Sequence, residues 1–182
     1  MMRKWIAFCL CLVMLVAMTA CKDSGDNHND ESDESVATRY VLDDALNSFI
    51  TDFNTQTRYT LAGMVQESDG SVSAEIDMCT IHMKSTKYGV YISLMGGDTV
   101  ESRDRMLDIF STITLAVDKS CPQSQLAVVV DKYKKQTESS SNEFRVSNYM
   151  KVLTFVPVIN EGTVKVDCRM ELLVLKYTPT DK

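Results

Sequence analysis

The sequence predicts an α+β domain in which an antiparallel sheet is covered by two helices. Two segments repeat their apolar residues at the 3.6-residue spacing of an amphipathic helix. Several shorter segments alternate apolar and polar residues, as half-buried strands do. Along residues 39–182 these segments give the order αβββαβββ, which is typical of antiparallel meanders with the helices on one face.

The first half of this domain begins with a helix in "RYVLDDALNSFITDF". Its apolar stripe comprises Val41, Leu42, Ala45, Leu46, Phe49, Ile50 and Phe53. Strands are predicted in "TRYTLAGMVQ", "SVSAEIDM" and "YGVYISLM", with a turn at residues 68–70 between the first two. The alternation slips at Met78 and Cys79, and we expect a β-bulge there, because one extra residue exchanges the two faces of a strand.

The second half begins with another helix. Asp98 and Glu101 have the spacing of a capping box, and Pro122 ends the helical pattern. The buried face of this helix is predicted to hold Met106, Ile109, Phe110, Ile113, Ala116 and Val117. The next segment, "QLAVVVDKY", is apolar on both faces, which indicates a central strand.

Two long strands are predicted to complete the domain. Pro157 in "EFRVSNYMKVLTFVPVI" indicates an edge or a bulge, because proline cannot donate a hydrogen bond to the ladder. A turn at residues 161–162 leads into "TVKVDCRMELLVLKY". Its apolar face is predicted to hold Val164, Val166, Cys168, Met170, Leu172 and Val174. The repeated order suggests two αβββ halves, although the halves share no residue-level similarity.

The first twenty residues have the pattern of an export signal. Arg3 and Lys4 precede "WIAFCLCLVMLVAM", which is shorter than the ~20 apolar residues of a membrane-spanning helix. Thr19 and Ala20 supply a small-residue cleavage site just before Cys21. The alternative is an uncleaved anchor, but the sequence lacks a stop-transfer pattern and the following flank is acidic.

With "MTAC" at residues 18–21 after a basic start and an apolar run, this segment resembles a bacterial lipoprotein precursor. The family prefers Leu where Met18 stands. The resemblance covers about 21 residues and implies that Cys21 receives a diacylglyceryl group, becomes the first mature residue and is acylated on its amine. Two or more acyl chains give a stable membrane anchor. Lys22 stands where an aspartate would imply retention at the inner membrane, so the resemblance favours the outer membrane and leaves open which side the domain faces.

Residues 21–38 are predicted to be the lipidated cysteine and a disordered acidic tether. Residues 22–38 hold six acidic residues and one lysine, a net charge of −5, and have almost no apolar side chains to bury. Residues 39–182 carry only −3, and their 144 residues suffice for a single domain with its own core. Because this domain has no basic stripe, we expect no nucleic-acid partner.

Three cysteines remain in the domain: Cys79, Cys121 and Cys168. A disulfide is permitted outside the cytoplasm, and we predict a bridge between Cys79 and Cys168, with the two pairings of Cys121, or no bridge at all, as alternatives. His82 follows Cys79 by three residues, so the two point to opposite faces of a strand. No short Cys pair anchors a zinc site made from these four residues, and His28 lies in the tether, so we predict no metal site and no cofactor.

The domain contains no motif of a known reaction: no nucleophile elbow, phosphate-binding loop, zinc-protease motif or dinucleotide fingerprint. Asp43 and Asp44 are adjacent on a helix and face different directions, so a solvated face explains them. We therefore predict no catalytic residues. The tyrosines are expected to be half-buried sheet residues or a recognition surface: Tyr59, Tyr88, Tyr91, Tyr133, Tyr149 and Tyr177. The methionines are expected to fill the core: Met78, Met83, Met95, Met106, Met150 and Met170.

These observations favour a non-enzymatic lipoprotein, anchored to the envelope membrane through Cys21, whose domain binds another envelope protein. The alternative is a periplasmic small-molecule or lipid-binding domain with an apolar cavity between sheet and helices. A flat sheet face lined by tyrosine would support the first function, and a deep apolar cavity would support the second. An enzyme is the third hypothesis, which would require titratable residues to converge in a cleft.

Overall fold

The computed structural model describes residues 43–161 and 164–177, and the side chains of residues 43–158 and 167–177. Cys21, the signal segment, the tether, Val41, Leu42 and Gly162 lie outside the described residues. The elements of the first half are α1 (Asp44–Gln56), β1 (Val65–Gln66), β2 (Val72–Ile76), β3 (Cys79–Thr86) and β4 (Gly89–Gly96). Those of the second half are α2 (Val100–Val117), α3 (Gln123–Lys135), β5 (Phe144–Ser147), β6 (Met150–Val156), β7 (Ile159–Glu161), β8 (Val164–Val166) and β9 (Arg169–Val174).

Seven of the described strands form one antiparallel sheet in the order β1-β2-β3-β4-β9-β6-β5. β7 and β8 form a separate hairpin between β6 and β9 in the chain. The α+β class is confirmed, and the order of helices and strands roughly matches the prediction. The differences are one additional helix and several shorter strands, so the described elements do not form two αβββ halves.

The core lies between one face of the sheet and the helices, and every predicted helix residue that the structure describes faces it. In α1 these are Ala45, Leu46, Phe49, Ile50 and Phe53. In α2 all six predicted residues are buried. The last sheet strand contributes Met170, Leu172 and Val174, as its alternation predicted. Burying one large apolar side chain stabilises a fold by about 1.5–3 kcal/mol, so this shared core orients both helices on the sheet.

The prediction of a central strand in "QLAVVVDKY" is wrong, because this segment lies in the helix α3. Its buried residues Leu126, Val129 and Tyr133 follow a helical spacing, whereas Val128 is 70% exposed. The Tyr133 ring packs 4.6 Å from the Phe155 ring, measured between centroids, which fixes this helix beside α2 and above β6. The run of valines concealed a single apolar stripe, and the tertiary contacts of that stripe override the strand preference of valine.

The prediction of a β-bulge at residues 78–79 is also wrong, because the chain reverses its direction there. Ile76 pairs with Cys79, so Asp77 and Met78 form a two-residue hairpin turn. Both have positive φ angles, 41° for Asp77 and 66° for Met78, as a type I′ turn requires. The exchange of faces seen in the sequence is therefore the passage from β2 to β3. In the segment before β2, "TRYTLAGMVQ", which was predicted to be a strand, only Val65–Gln66 forms one. The predicted turn that ends at Gly70 is confirmed.

The prediction of one long strand in "EFRVSNYMKVLTFVPVI" is wrong, because this segment forms a hairpin of the two strands β5 and β6. Asn148 and Tyr149 turn the chain between β5 and β6. The register of β6 against β9 shifts between Val152 and Thr154, so a bulge exists, but it precedes Pro157. Pro157 directly follows the end of β6, where no ladder hydrogen bond is needed.

The N-terminus of α2 is capped one residue later than predicted. Thr99 Oγ1 accepts a hydrogen bond from the Ser102 backbone N–H at 3.1 Å. The Thr99 N–H in turn donates to Ser102 Oγ at 3.3 Å, which completes the capping box. The pair Asp98 and Glu101 has the same spacing, but the helix begins at Val100, so Ser102 occupies the third helical position.

Candidate functional site

The face of the sheet opposite the helices, here called the open face, carries three rows of side chains that strand register brings side by side. No described helix lies on it. The upper row comprises Lys84, Tyr91, Leu173, Lys151 and Arg145. The middle row comprises Ser73, His82, Ser93, Glu171 and Thr154. The lower row comprises Glu75, Thr80, Met95, Arg169 and Val156.

The centre of the open face is largely apolar. Tyr91 on β4 is paired with Leu173 on β9, and both are half-buried. Met95, two positions further along the same face of β4, is 44% exposed. The bulge in β6 gives two residues, Leu153 and Thr154, opposite one residue of β9, so Leu153 joins this patch. The domain thus presents large apolar side chains on the face that its own described helices leave uncovered.

Charged side chains surround this apolar centre. Lys84 Nζ lies 2.7 Å from a carboxylate oxygen of Asp69, at the β2 side of the sheet. At the opposite side Lys151 Nζ lies 2.8 Å from a carboxylate oxygen of Glu143. Such exposed pairs contribute only about 0–1 kcal/mol to stability, so their charges remain available for a partner. Glu75 accepts a hydrogen bond from the Thr80 hydroxyl at 2.9 Å.

The middle row is polar, and its groups contact one another. Ser73 Oγ and His82 Nδ1 lie 3.0 Å apart. Glu171 accepts a hydrogen bond from the Tyr91 hydroxyl, and burial together with this carboxylate raises the pKa of Tyr91. The phenol therefore keeps its proton at neutral pH. Arg169 Nε lies 3.7 Å from a carboxylate oxygen of Glu171, which places a cation between the middle and lower rows.

The Ser73 and His82 pair is the nearest approach to a nucleophile and base on this face. A serine nucleophile needs a base that a third group orients. Glu171 lies two strands away from His82 in the same row, and two strand spacings amount to about 10 Å. Ser93 on β4 lies between them. The row therefore lacks the contact that a Ser-His-Glu arrangement requires.

The structure places the predicted disulfide partners on either side of Gly96. Cys79, Cys121 and Cys168 are buried free thiols. Cys79 is paired with Gly96 on β4, and the Gly96 N–H donates to the Cys168 carbonyl oxygen at 2.9 Å on the other side. Burial raises the pKa of Cys79 to about 12 and also raises that of Cys168, so both thiols are protonated.

A bridge between Cys79 and Cys168 would have to pass over the intervening strand. Strands separated by one neighbour lie about 10 Å apart, whereas a disulfide needs Cα atoms about 4.4–6.8 Å apart. The Cys79–Cys168 bridge therefore stays a prediction, and its formation would require β3 or the start of β9 to move. The Cys168 sulfur packs directly against Gly96, since a Cβ added at Gly96 would lie 2.4 Å from that sulfur.

The histidine and cysteine side chains are divided between the two faces of the sheet. His82 lies on the open face, whereas Cys79, on the same strand, points into the core. Within the described ranges, no three His, Cys, Asp or Glu side chains are grouped as metal ligands would be. His28 and Cys21, which the sequence predicts to be lipidated, lie outside those ranges.

The tyrosines and methionines divide between core and surface. Tyr133 and Tyr177 are core residues, Tyr91 lies on the open face, and Tyr88 and Tyr149 are exposed in turns. Tyr59 is partly buried against the core. The core-filling role is confirmed for Met83, Met106, Met150 and Met170, which are fully buried. It is wrong for Met78 and Met95, because the first lies in a turn and the second on the open face.

Two clefts near the sheet test the cavity hypothesis. One, of about 260 Å³, lies beside Asp118 and has a mostly polar lining. The Asp118 carboxylate accepts hydrogen bonds from the Ser120 N–H at 3.0 Å, the Ser120 hydroxyl at 2.5 Å and the Asn148 N–H at 3.2 Å. These bonds, led by that of the Ser120 hydroxyl, lower the pKa of Asp118. This carboxylate therefore holds the β5–β6 turn against the end of α2.

The other cleft, of about 300 Å³, extends the lower edge of the open face between Met95, Val156 and Arg169. Both clefts are open to solvent. They do not provide the enclosed apolar cavity that a lipid-binding domain needs.

The lower and middle rows contain the residues that sequence reasoning missed. Alternation along the last strand placed Arg169 and Glu171 opposite Met170, but it did not show which side chains lie beside them. That information resides in the pairing of β9 with β4 and β6, strands that are distant in the chain. The only sequence signal was the polar alternation itself.

In the part of the chain that the structure describes, no helix combines the length and apolar character needed to cross a membrane. Comparison with protein-family models gives no match, and no curated protein and no solved structure matches the chain.

Proposed function

We propose that this chain is a bacterial lipoprotein, anchored in the outer membrane by acyl chains on Cys21, whose domain binds another envelope protein through its open face. The anchor rests on the resemblance of residues 1–21 to lipoprotein precursors. The binding role rests on one structural observation: a sheet face with an apolar centre and a charged surround that no described helix covers.

The arrangement of the open face supports a protein partner. Protein interfaces typically have an apolar core rich in aromatic residues and methionine, and a polar rim that stays accessible to solvent. Tyr91, Met95 and Leu173 supply such a core, and Lys84 and Lys151 lie at its rim. A small molecule needs a concave site that buries most of its area, whereas the two clefts beside the sheet are open to solvent.

The polar groups of the open face support a binding role over catalysis. The Ser73 hydroxyl and His82 imidazole contact each other, and Glu171 is engaged by Tyr91 and Arg169. These contacts fix side chains in place on a rigid element, which lowers the entropy cost of association. They do not bring a nucleophile, a base and an oxyanion site around one point, as acyl transfer would require.

The anchor is tested by replacing Cys21 with Ala. We expect the variant to accumulate as an unprocessed precursor, because the thiol that receives the diacylglyceryl group is gone. Mass spectrometry of the wild-type N-terminus should show acyl groups on Cys21. Cys9→Ala is the matched control, since Cys9 leaves with the signal segment and its loss should not alter processing. A wild-type protein with an unmodified Met1 would refute the anchor.

The binding surface is tested by placing a photo-cross-linking amino acid at position 173 of the full-length protein in its native envelope. The control position is 128, which is exposed on α3, on the helical side of the sheet. We expect cross-linked products from position 173 and none of the same size from position 128. Products from position 128 alone would show that the partner binds the helices, and the proposal would fail.

A further inference from the structure

We propose that Cys79 and Cys168, in their reduced form, bind one Cu(I) ion between their two sulfur atoms. This site is independent of the open face and of the membrane anchor, so its failure would leave the proposed function untouched. The sequence predicted no metal site, because it contains no short Cys pair that could anchor one. The pair forms only in the folded sheet, where two distant cysteines flank the same glycine.

Gly96 provides the space that brings the two sulfurs near each other. Cys79 on β3 and Cys168, which directly precedes β9, are its neighbours on the two sides, and both are buried. A Cβ at position 96 would lie 2.4 Å from the Cys168 sulfur and 3.0 Å from the Ser102 carbonyl oxygen. The Cys79 sulfur lies 3.8 Å from that same oxygen. Both sulfurs therefore border the space that a side chain at position 96 would fill.

A metal ion can join these thiols with less strand movement than a disulfide requires. A disulfide holds its two sulfurs only about 2.05 Å apart. A linear sulfur–metal–sulfur unit, with two bonds of about 2.3 Å as in zinc thiolates, holds them about 4.6 Å apart. The longer unit is better suited to strands that flank a third strand, whose Cα atoms lie about 10 Å apart.

The number and the softness of the ligands select the ion. Thiolates favour Cu(I), Zn²⁺ and iron–sulfur clusters. A structural zinc site has four ligands, and an iron–sulfur cluster is held by four protein ligands, most often cysteines. Cu(I), a soft d¹⁰ ion, is stable between two thiolates in a line. Among the described residues, no group of three His, Cys, Asp or Glu side chains could hold a metal, so a two-ligand ion is the one that fits.

Binding exchanges two thiol protons for one cation. Each S–H bond is broken as a Cu–S bond forms, so two protons leave and the complex has one negative charge. Copper enters as Cu(I), and nothing is oxidised or reduced. Ser102 is the third residue of α2, so the charge lies beside the first turn of that helix, where an anion is favoured. Burial raises the pKa of Cys168, whereas the N–H groups of Gly96 and Cys168 and the Ser102 hydroxyl favour its thiolate.

The cleft of about 300 Å³ at the lower edge of the sheet provides a route to this pair. Cys168 forms part of its lining, together with Asp167 and Met95. Met95 is 44% exposed, and its thioether is a soft ligand of the kind that Cu(I) prefers. An ion that enters this cleft therefore meets the Met95 sulfur in solvent before it reaches the buried thiols.

Copper titration tests the site in residues 21–182 with Cys21→Ser, because an unlipidated thiol at position 21 would itself bind copper. We expect the chain to take one Cu(I) from a chromogenic Cu(I) chelator without oxygen and with ascorbate as reductant. Cys79→Ser and Cys168→Ser should each lower the affinity about 100-fold or more, since losing even an outer partner of a metal ligand costs ~10–100-fold.

Cys121→Ser is the matched control, because it also removes a buried thiol. Cys121 follows the end of α2, whereas Ser102 lies near its start, and this helix of 18 residues is about 27 Å long. We therefore expect Cys121→Ser to bind copper as the unsubstituted chain does. Circular dichroism of each variant checks that the fold is intact.

X-ray absorption at the copper edge provides a second measurement, which does not depend on any variant that fails to fold. We expect two sulfur neighbours and no nitrogen or oxygen neighbour. A chain that takes no copper from the chelator overturns the site, as does copper bound by nitrogen or oxygen. Binding that survives Cys168→Ser, or that Cys121→Ser weakens equally, overturns the assignment of the two ligands.

Discussion

Gly96 lies beside the buried thiols, at a position where the backbone leaves no room for a side chain. An added Cβ there would lie 2.4 Å from the Cys168 sulfur and 3.0 Å from the Ser102 carbonyl oxygen. The neighbouring Gly97 differs, because its nearest neighbour would be the Ser102 hydroxyl at 3.5 Å, an ordinary contact. The close approach of β4, the start of β9 and α2 therefore depends on the absence of a side chain at position 96.

Gly96→Ala should lower the free energy of unfolding by about 1–3 kcal/mol, because the backbone or Cys168 must shift to admit the methyl group. Urea unfolding at neutral pH measures this loss. Gly97→Ala is the control and should cost markedly less. Equal effects of the two substitutions would show that Gly96 does not need to be small.

The second residue-scale prediction concerns the thiols. We expect peptide mapping of the oxidised, alkylated chain with Cys21→Ser to yield a Cys79–Cys168 bridge, which requires the strands flanking β4 to approach each other. Such a bridge would stabilise the domain by about 2–4 kcal/mol. Reduction should then lower the thermal midpoint. Three free thiols, or a bridge that includes Cys121, would refute the pairing, and the ~10 Å spacing across β4 would explain that result.

At the scale of elements, helices with a clear stripe were predictable and α3 was not. The stripes of α1 and α2 contain phenylalanine, leucine and isoleucine at strict helical spacing, so no strand register could bury them together. In α3 three consecutive valines blurred the period, and the ring contacts of Tyr133 with Phe110 and Phe155 fix which face of the helix points inward. The sequence did not reveal the strand ends at two hairpin turns, because these turns lack the usual glycine. Their residues are Asp77 and Met78 in one turn and Asn148 and Tyr149 in the other.

Alanine substitutions in α3 distinguish its two interpretations. Leu126→Ala should cost about 2–5 kcal/mol, because Leu126 is buried. Val128→Ala should change stability by less than about 0.5 kcal/mol, since this side chain is exposed and alanine favours helix. In a strand, positions 126 and 128 would share a face and cost alike. Equal losses in denaturant unfolding would therefore contradict the helix.

The link between α2 and the β5–β6 hairpin should depend on pH. The pKa of Asp118 lies below its ordinary value of 3.8 in the folded chain. Its ionised form therefore stabilises the fold fully above pH 3.8, and this contribution is lost as the pH falls through the lowered folded value. Asp118→Asn should reduce the free energy of unfolding by about 1–3 kcal/mol at pH 7.

The difference between Asp118→Asn and the wild type should shrink at pH 3, where part of the contribution has already been lost. Urea unfolding at the two pH values measures it. Asp131→Asn is the control, because Asp131 is exposed and pairs only with Lys135 among the described ion pairs. A difference that grows on acidification would contradict the assignment.

For the whole molecule, the sequence was sufficient for the fold class and for the helical side of the sheet. Periodicity reports which face of each element is apolar, and the apolar faces of helices and strands must meet in one core. It does not report strand order, so the juxtaposition of Tyr91 with Leu173 and of Met95 with Arg169 could not be predicted. The candidate site is a product of register between distant segments, which explains why no local motif announced it.

The tether should contribute nothing to the stability of the domain. Residues 22–38 have too few apolar side chains to pack, so chains comprising residues 22–182 and 39–182 should have thermal midpoints within about 2 °C of each other. Differential scanning calorimetry of both, with Cys21 absent from each, measures this. A drop of several degrees on removing residues 22–38 would show that they pack on the domain.

The central position of β9 has a consequence for how the chain acquires its fold. β9 lies between β4 and β6, although it is the last described strand. The sheet cannot close until residues 169–174 have been made, and until then the partners of β9 expose unpaired edges. Pairings between segments so far apart in the chain slow folding. An incomplete chain with this topology therefore cannot form the centre of its final sheet before its last described strand is available to pair with both neighbours.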